Sequence, residues 1–162
     1  MDQKIAQKSA VHATFTLERI YDVSPARAFK AWSDPKAKGQ WFRGPREWGE
    51  PEYRLDFRIG GREISRVTPK DGTLHAYDAY YWDIVDNQRI VYSYDMHIGA
   101  QRISVSQATV QFKSQGTGTR VIFTEQAVFL DGYDDAGSRE RGTAGLLEAL
   151  GAWLKTQAAA PS

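Results

Sequence analysis

Over residues 14–23 apolar side chains recur at every second position, with Phe15, Leu17, Tyr21 and Val23 on one parity. That period predicts a half-buried strand. Arg19 interrupts the apolar parity, either as a strand-end residue reaching solvent along its stem or as an inward cation facing a cavity. Ser24 can accept from the free amides of a first helical turn, and Pro25 suits the first helical position. Ala28, Phe29 and Trp32 then share a face until Asp34-Pro35 ends that helix and caps a second short one, in which Ala37 and Trp41 lie one turn apart.

From residue 52 to 130 the period returns to two. Tyr53, Leu55, Phe57 and Ile59 alternate strictly, and Gly60-Gly61 marks a bend or bulge before "REISRV". Asp71-Gly72 is a tight-hairpin signal. "LHAYDAYYWDIV" and "RIVYSYDMHI" read as two aromatic strands joined at "DNQ", and "RISVSQATVQF" and "RVIFTEQAVFL" flank the hairpin signal "KSQGTGT". The pattern is an antiparallel meander. It closes with a helix in which Leu146, Leu147, Leu150, Trp153 and Leu154 form one apolar stripe. Gly137, Gly142, Gly145 and Gly151 weaken that helix and permit close approach to a neighbouring surface. Residues 1–13 are expected to be a flexible leader, 14–157 one domain, and 158–162 a disordered tail.

Composition narrows the chemistry. The 162 residues carry 21 Lys and Arg against 20 Asp and Glu, a formal charge of +1 without a long like-charge run. No electrostatic footprint for nucleic acid is expected. The absence of cysteine excludes disulfides, thiolate metal sites and a cysteine nucleophile. No apolar run approaches the roughly 18 residues of a membrane span, and the N-terminal residues lack the apolar core of a signal peptide. The expectation is a cytoplasmic protein without membrane insertion.

The order strand, two short helices, antiparallel strands and a long last helix is α+β. With the segments "R-x-Y-x-V-S-P-A-R-A-F-x-A-W-S-D-P", "WFRGP", "FRIGGRE", "DNQRIVYSY", "GTGTRVIFTEQ" and "LDGYDDAGSRERGTAGLLEALGAWL", it resembles the START-like (SRPBCC, Bet v-type) superfamily. Within it, the branch named for the activator of Hsp ATPase homologue is the most similar. "RGTAGLLEAL" stands where that branch often has a Gly-Trp pair. The resemblance implies a helix-grip fold, a curved antiparallel sheet wrapped around the C-terminal helix, with a cavity between them.

"QWFRGPREWGEP" places Trp41, Phe42 and Trp48 in a segment broken by glycine and proline. Trp41 and Phe42 are expected either to close the end of the core or to line the cavity, and both are candidate ligand-binding residues, with Trp41 placed nearer the core and Phe42 at the mouth. Trp48 is expected as a lid or surface contact. Tyr80, Trp82, Tyr92 and Tyr94 are expected to line the concave face; Tyr77 and Tyr81 have the opposite parity, and a slipped register would exchange the sets. Phe57, Phe129, Leu146 and Leu150 complete the expected lining. Glu125, on the parity of Val121, Phe123, Ala127 and Phe129, is either an inward acid partnered by Arg19 or a ligand donor, or an edge-strand residue in solvent.

His12, His75 and His97 have no metal-ligand spacing, Ser104 and Ser106 are alternate strand residues rather than a nucleophile on a strained turn, and the glycines make no dinucleotide or phosphate-loop fingerprint. No cofactor or metal is expected. The expected partner is a small hydrophobic, lipid-like molecule, with a homodimer left open. Two other functions are compatible with the resemblance: a cyclase- or hydrolase-like enzyme, and a co-chaperone-like interaction module.

Overall fold

The computed structural model describes residues 7–158. Strand β1 spans Ala10–Tyr21, and helices α1 and α2 span Pro25–Ser33 and Pro35–Trp41. Strands β2 (Glu52–Leu55), β3 (Arg62–Val67), β4 (His75–Val85), β5 (Arg89–Ile98), β6 (Gln101–Gln115) and β7 (Gly118–Leu130) follow, and helix α3 runs from Ala136 to Ala158. All neighbours pair antiparallel in one sheet of order β1-β7-β6-β5-β4-β3-β2. The sheet curves around α3, the helix-grip arrangement. Leu147, Leu150 and Leu154 of α3 are buried against its inner face.

The capping signals act as expected. Ser24 Oγ accepts from the Arg27 amide, and Asp34 Oδ1 accepts from the Lys36 amide. The α1–α2 hairpin closes one end of the grip with aromatic edges, Trp32 against Trp41 at 4.8 Å and Phe29 against Phe112 at 5.4 Å. Where α3 crosses β1, Tyr21 donates to the Leu147 carbonyl at 2.8 Å, and its ring passes so close to Gly151 that a Cβ there would lie 3.2 Å from Cε1. Among the glycines of α3, Gly151 is the one packed against a strand of the sheet.

Three local expectations are corrected. β1 begins at Ala10, not Thr14, because Ala10–Ala13 pair with Leu130–Ala127 and so satisfy the free edge of β7. Residues 1–6 and 159–162, the ends of the expected leader and tail, lie outside the described residues. β2 stops at Leu55 rather than continuing to Ile59. Asp56–Gly61 instead fold back, Gly60 N–H reaches the Tyr81 carbonyl at 2.8 Å, and Ile59 is exposed. Gly61 makes this turn possible: a Cβ there would meet the Asp56 carbonyl oxygen at 2.0 Å.

The third correction is the parity of β4. Tyr77, Ala79 and Tyr81 pair across from Met96, Tyr94 and Tyr92 and face inward, all buried in β4. Tyr80 and Trp82 therefore occupy the outer face, where their rings pack at 4.5 Å and Trp82 Nε1 donates to Ser93 Oγ at 2.9 Å. Trp82 is 59% exposed, at the bulge where the β4–β5 register shifts. Neither can line the concave face.

Candidate functional site

Between the first half of α3, the inner faces of β3–β5 and the loop after α2 lies an open cavity of about 570 Å³. Its helix wall is Ser138, Gly142, Gly145, Leu146 and Ala149, residues that fall on one side of α3. A Cβ built on Gly142 or Gly145 meets nothing within 4 Å. These glycines thus border open space rather than a packed neighbour. The sheet wall is Ser65 and Val67 of β3, His75 to Tyr77 of β4, and Met96 of β5.

The remaining wall is the loop from Phe42 to Trp48. Phe42 packs edge-on against Tyr77 at 5.0 Å, and Trp48 packs on the His75 ring at 4.5 Å. Arg43 holds the loop closed by donating to Glu50 (Nη1–Oε2 3.1 Å) and to the Gly49 carbonyl. Gly44 lies under Trp48, where a Cβ would come within 3.0 Å of the indole. Trp48, expected as a lid or surface contact, is a cavity wall.

Two buried ionic clusters flank this space. In the first, Lys38 of α2 donates to Glu63 of β3 at 2.8 Å, and both are fully buried. Glu63 also accepts from Tyr53, from Tyr81 at 2.9 Å and from Tyr77 at 3.4 Å. The ammonium lies 4.5 Å from the Phe42 ring centre and 5.3 Å from that of Trp32. Burial pulls the Lys38 value below that of an ordinary ammonium, and Glu63 opposes it. Burial, reinforced by Glu63, holds the Tyr77 and Tyr81 hydroxyls well above the usual phenol value.

In the second cluster Glu125, fully buried on β7, accepts from Tyr94 at 2.8 Å, from Ser106 at 2.9 Å and from Arg139 Nη1 at 3.3 Å. Arg139 Nη1 also donates to Tyr94 at 3.0 Å, and Nη2 donates to Ser104 at 2.7 Å and Asp134 at 3.1 Å. The guanidinium stacks over Phe129 at 5.3 Å. Burial works to lower the Arg139 value, but the Tyr94, Glu125 and Asp134 oxygens together outweigh it, and the net shift is upward. Arg139 and Asp134 both border the cavity.

Glu125 is therefore the inward acid, but its partner is Arg139. Arg19 instead bonds Glu148 at 2.8 Å on the surface. Of the expected lining, Phe42 and Leu146 border the cavity. Trp41, Tyr92 and Leu150 are buried core residues, with Trp41 Nε1 donating to the Ala31 carbonyl at 3.0 Å. Tyr94 and Phe129 support Arg139 from beneath, and Phe57 packs against Phe29 and Tyr81 outside the lining. Tyr80 and Trp82 lie on the far side of the sheet.

Lys38, Glu63, Tyr77 and Arg139 were not legible as site residues, although one signal existed. Arg139, Thr143, Leu147, Leu150 and Leu154 are spaced as a single helical stripe and are all buried. A charge in phase with such a stripe needs a buried partner. Among the described residues, no group of three or more His, Asp or Glu side chains is arranged to hold a metal ion, and no helix is long and apolar enough to cross a membrane.

An antiparallel sheet gripping a long C-terminal helix, with a cavity along the helix, defines a START-like protein. The chain belongs to the family of activator of Hsp90 ATPase homolog 1-like proteins, whose model matches residues 22–155. A solved structure from Rhizobium leguminosarum is 51% identical, with a TM-score of 0.89 over 93% of this chain and 99% of that one. A Rhizobium loti protein is 46% identical, with a TM-score of 0.83 over 90% of this chain and 99% of that one. The AHSA1-like protein from Aeromonas hydrophila shares the fold at 19% identity, with a TM-score of 0.69 over 90% of this chain and 94% of that one. No curated protein matches the chain.

Proposed function

We propose that this protein binds a small, largely apolar molecule in the cavity between α3 and the sheet. The observation that carries the reading is the open space opposite Gly142 and Gly145, walled by Phe42, Trp48, Tyr77, Met96 and Leu146. A volume of about 570 Å³ falls within the range of small-molecule sites, roughly 300–1,000 Å³, which combine apolar walls with a few placed polar groups. Within this reading the ligand enters past the Phe42–Trp48 loop, and Arg139 is the polar group at the inner end.

Binding is favoured over catalysis because both buried acid–base pairs are directly bonded, with further donors on each carboxylate. Their geometry accounts for their presence as internal struts. The interaction-module reading draws less support, since it calls for a filled interior.

The test has two parts. Native mass spectrometry of freshly purified protein should show a bound small molecule or a subpopulation carrying one. The neutral dye N-phenylnaphthylamine should bind in a saturable, one-site manner and be displaced by apolar competitors. Dye fluorescence that rises linearly without saturation, and persists unchanged when the cavity is filled by mutation, would reject the reading.

A further inference from the structure

We propose that the cavity selects an uncharged apolar molecule carrying a carbonyl-type oxygen, which accepts a hydrogen bond from Arg139 Nε, and that it discriminates against the corresponding carboxylate. This rests on the cavity-binding reading above and adds the ligand's polar chemistry.

Arg139 borders the cavity, and its donors are unequally used. The terminal nitrogens serve Tyr94, Ser104, Ser106, Glu125 and Asp134. Nε–H makes no hydrogen bond among the described residues, and it is not among the side-chain nitrogens that are both sealed and unpartnered. A guanidinium presents five N–H donors in a rigid fork, so an acceptor entering the cavity finds one of them free.

An arginine in an apolar pocket ordinarily suggests an anionic ligand. Here the formal charges argue otherwise. Arg139 contributes one positive charge, while Glu125 at 3.3 Å and Asp134 at 3.1 Å contribute two negative ones. The other cation on the wall, Arg43, is already paired with Glu50 at 3.1 Å. The inner end is thus net negative by one formal charge before any ligand arrives. A ligand carboxylate would be a third anion around one cation in a mostly apolar cavity, where like charges repel. A ketone, ester or amide oxygen takes the Nε–H without that repulsion.

Displacement of N-phenylnaphthylamine by methyl decanoate, decanoate and decane, at about pH 8 where a free carboxylic acid is fully ionised, separates the possibilities. The ester should compete at roughly tenfold lower concentration than the acid, a difference of about 1.4 kcal/mol, and should also compete better than the alkane. Asp134→Asn, whose amide oxygen can still accept from Arg139, should narrow the ester-to-acid ratio at least about threefold; circular dichroism checks that the variant is folded. Decanoate competing as well as the ester on the unsubstituted protein would overturn the proposal, as would an unchanged ratio in Asp134→Asn. Either result with saturable dye binding leaves the cavity reading standing. Failure of the dye and all three probes to bind would remove both.

Discussion

The ammonium nitrogen of Lys38 lies 2.8 Å from each carboxylate oxygen of Glu63, and both side chains are sealed from solvent. The pair ties α2 to β3 beneath the rings of Trp32 and Phe42. Desolvating two charges is costly, and Glu63 offsets part of that cost through its bonds from Tyr53, Tyr77 and Tyr81. What the pair adds is a specific docking of α2, which carries Phe42 and the loop that walls the cavity.

Removing either charge alone leaves the other buried without compensation. Lys38→Met and Glu63→Gln should each lower stability by about 3–5 kcal/mol. The double variant should lose less than the sum of the two, by more than about 1 kcal/mol. Urea unfolding of the four proteins measures this, and additive losses would show that the pair is not coupled.

High pH should unfold this protein cooperatively. Tyr21, Tyr53, Tyr77, Tyr81, Tyr92 and Tyr94 are all held above the ordinary phenol value, chiefly by burial. Above about pH 10 the unfolded chain releases these protons while the folded one keeps them, so stability is complete below that value and falls above it. Each tyrosine adds up to about 1.4 kcal/mol per pH unit to the slope. Lys38 has the opposite sign, since its lowered value makes the unfolded state bind the extra proton and stability rise with pH below the ordinary ammonium value. One lysine is outweighed by six tyrosines. Urea midpoints should therefore drop steeply between about pH 9.5 and pH 11, with the tyrosinate absorbance of these six residues appearing only as the protein unfolds. Ionisation of more than two of the eight tyrosines in folded protein would contradict this.

Trp41 and Phe42 are adjacent but should behave differently. Trp41 is 2% exposed, bonded to Ala31 and packed on Trp32, so Trp41→Ala should cost about 3–5 kcal/mol. Phe42 borders the cavity and already has one side facing open space. Phe42→Ala should cost less, about 1–2 kcal/mol, while weakening dye binding in the folded fraction. Equal stability losses with unchanged dye affinity would defeat this division.

Gly145 offers a test with two signs. A Cβ there meets nothing within 4 Å, so Gly145→Ala should raise stability by about 0.5–1 kcal/mol through helix propensity and the unfolded chain. Gly145→Phe projects a ring into the same space and should abolish dye binding with the fold intact, as followed by circular dichroism and dye titration. Full dye affinity in folded Gly145→Phe would move the binding site elsewhere.

What could be read without the structure was whatever a few neighbouring residues encode. The alternation of β5 to β7, the Asp71-Gly72 turn, the caps at Ser24 and Asp34 and the leucine stripe of α3 are local patterns, and the element order followed from them. Trp41 and Phe42 both read as candidate lining residues, although the break at Arg43-Gly44-Pro45 favoured Phe42 for the mouth; the buried indole bonded to Ala31 is what places Trp41 in the core. The inner parity of β4 was not. Tyr77 and Tyr81 are as apolar as Tyr80 and Trp82, and only pairing with Tyr92 and Tyr94 of β5, with the bulge at Trp82, decides between them. The buried charges were equally hidden: Lys38 meets Glu63 across 25 residues, and Arg139 meets Ser104 across 35. A charge reads as a surface residue until the fold supplies its partner. The cavity itself belongs wholly to the tertiary structure, because it exists where the bare face of α3 at Gly142 and Gly145 fails to meet the sheet, and a gap between two surfaces distant in sequence leaves no periodic trace in either.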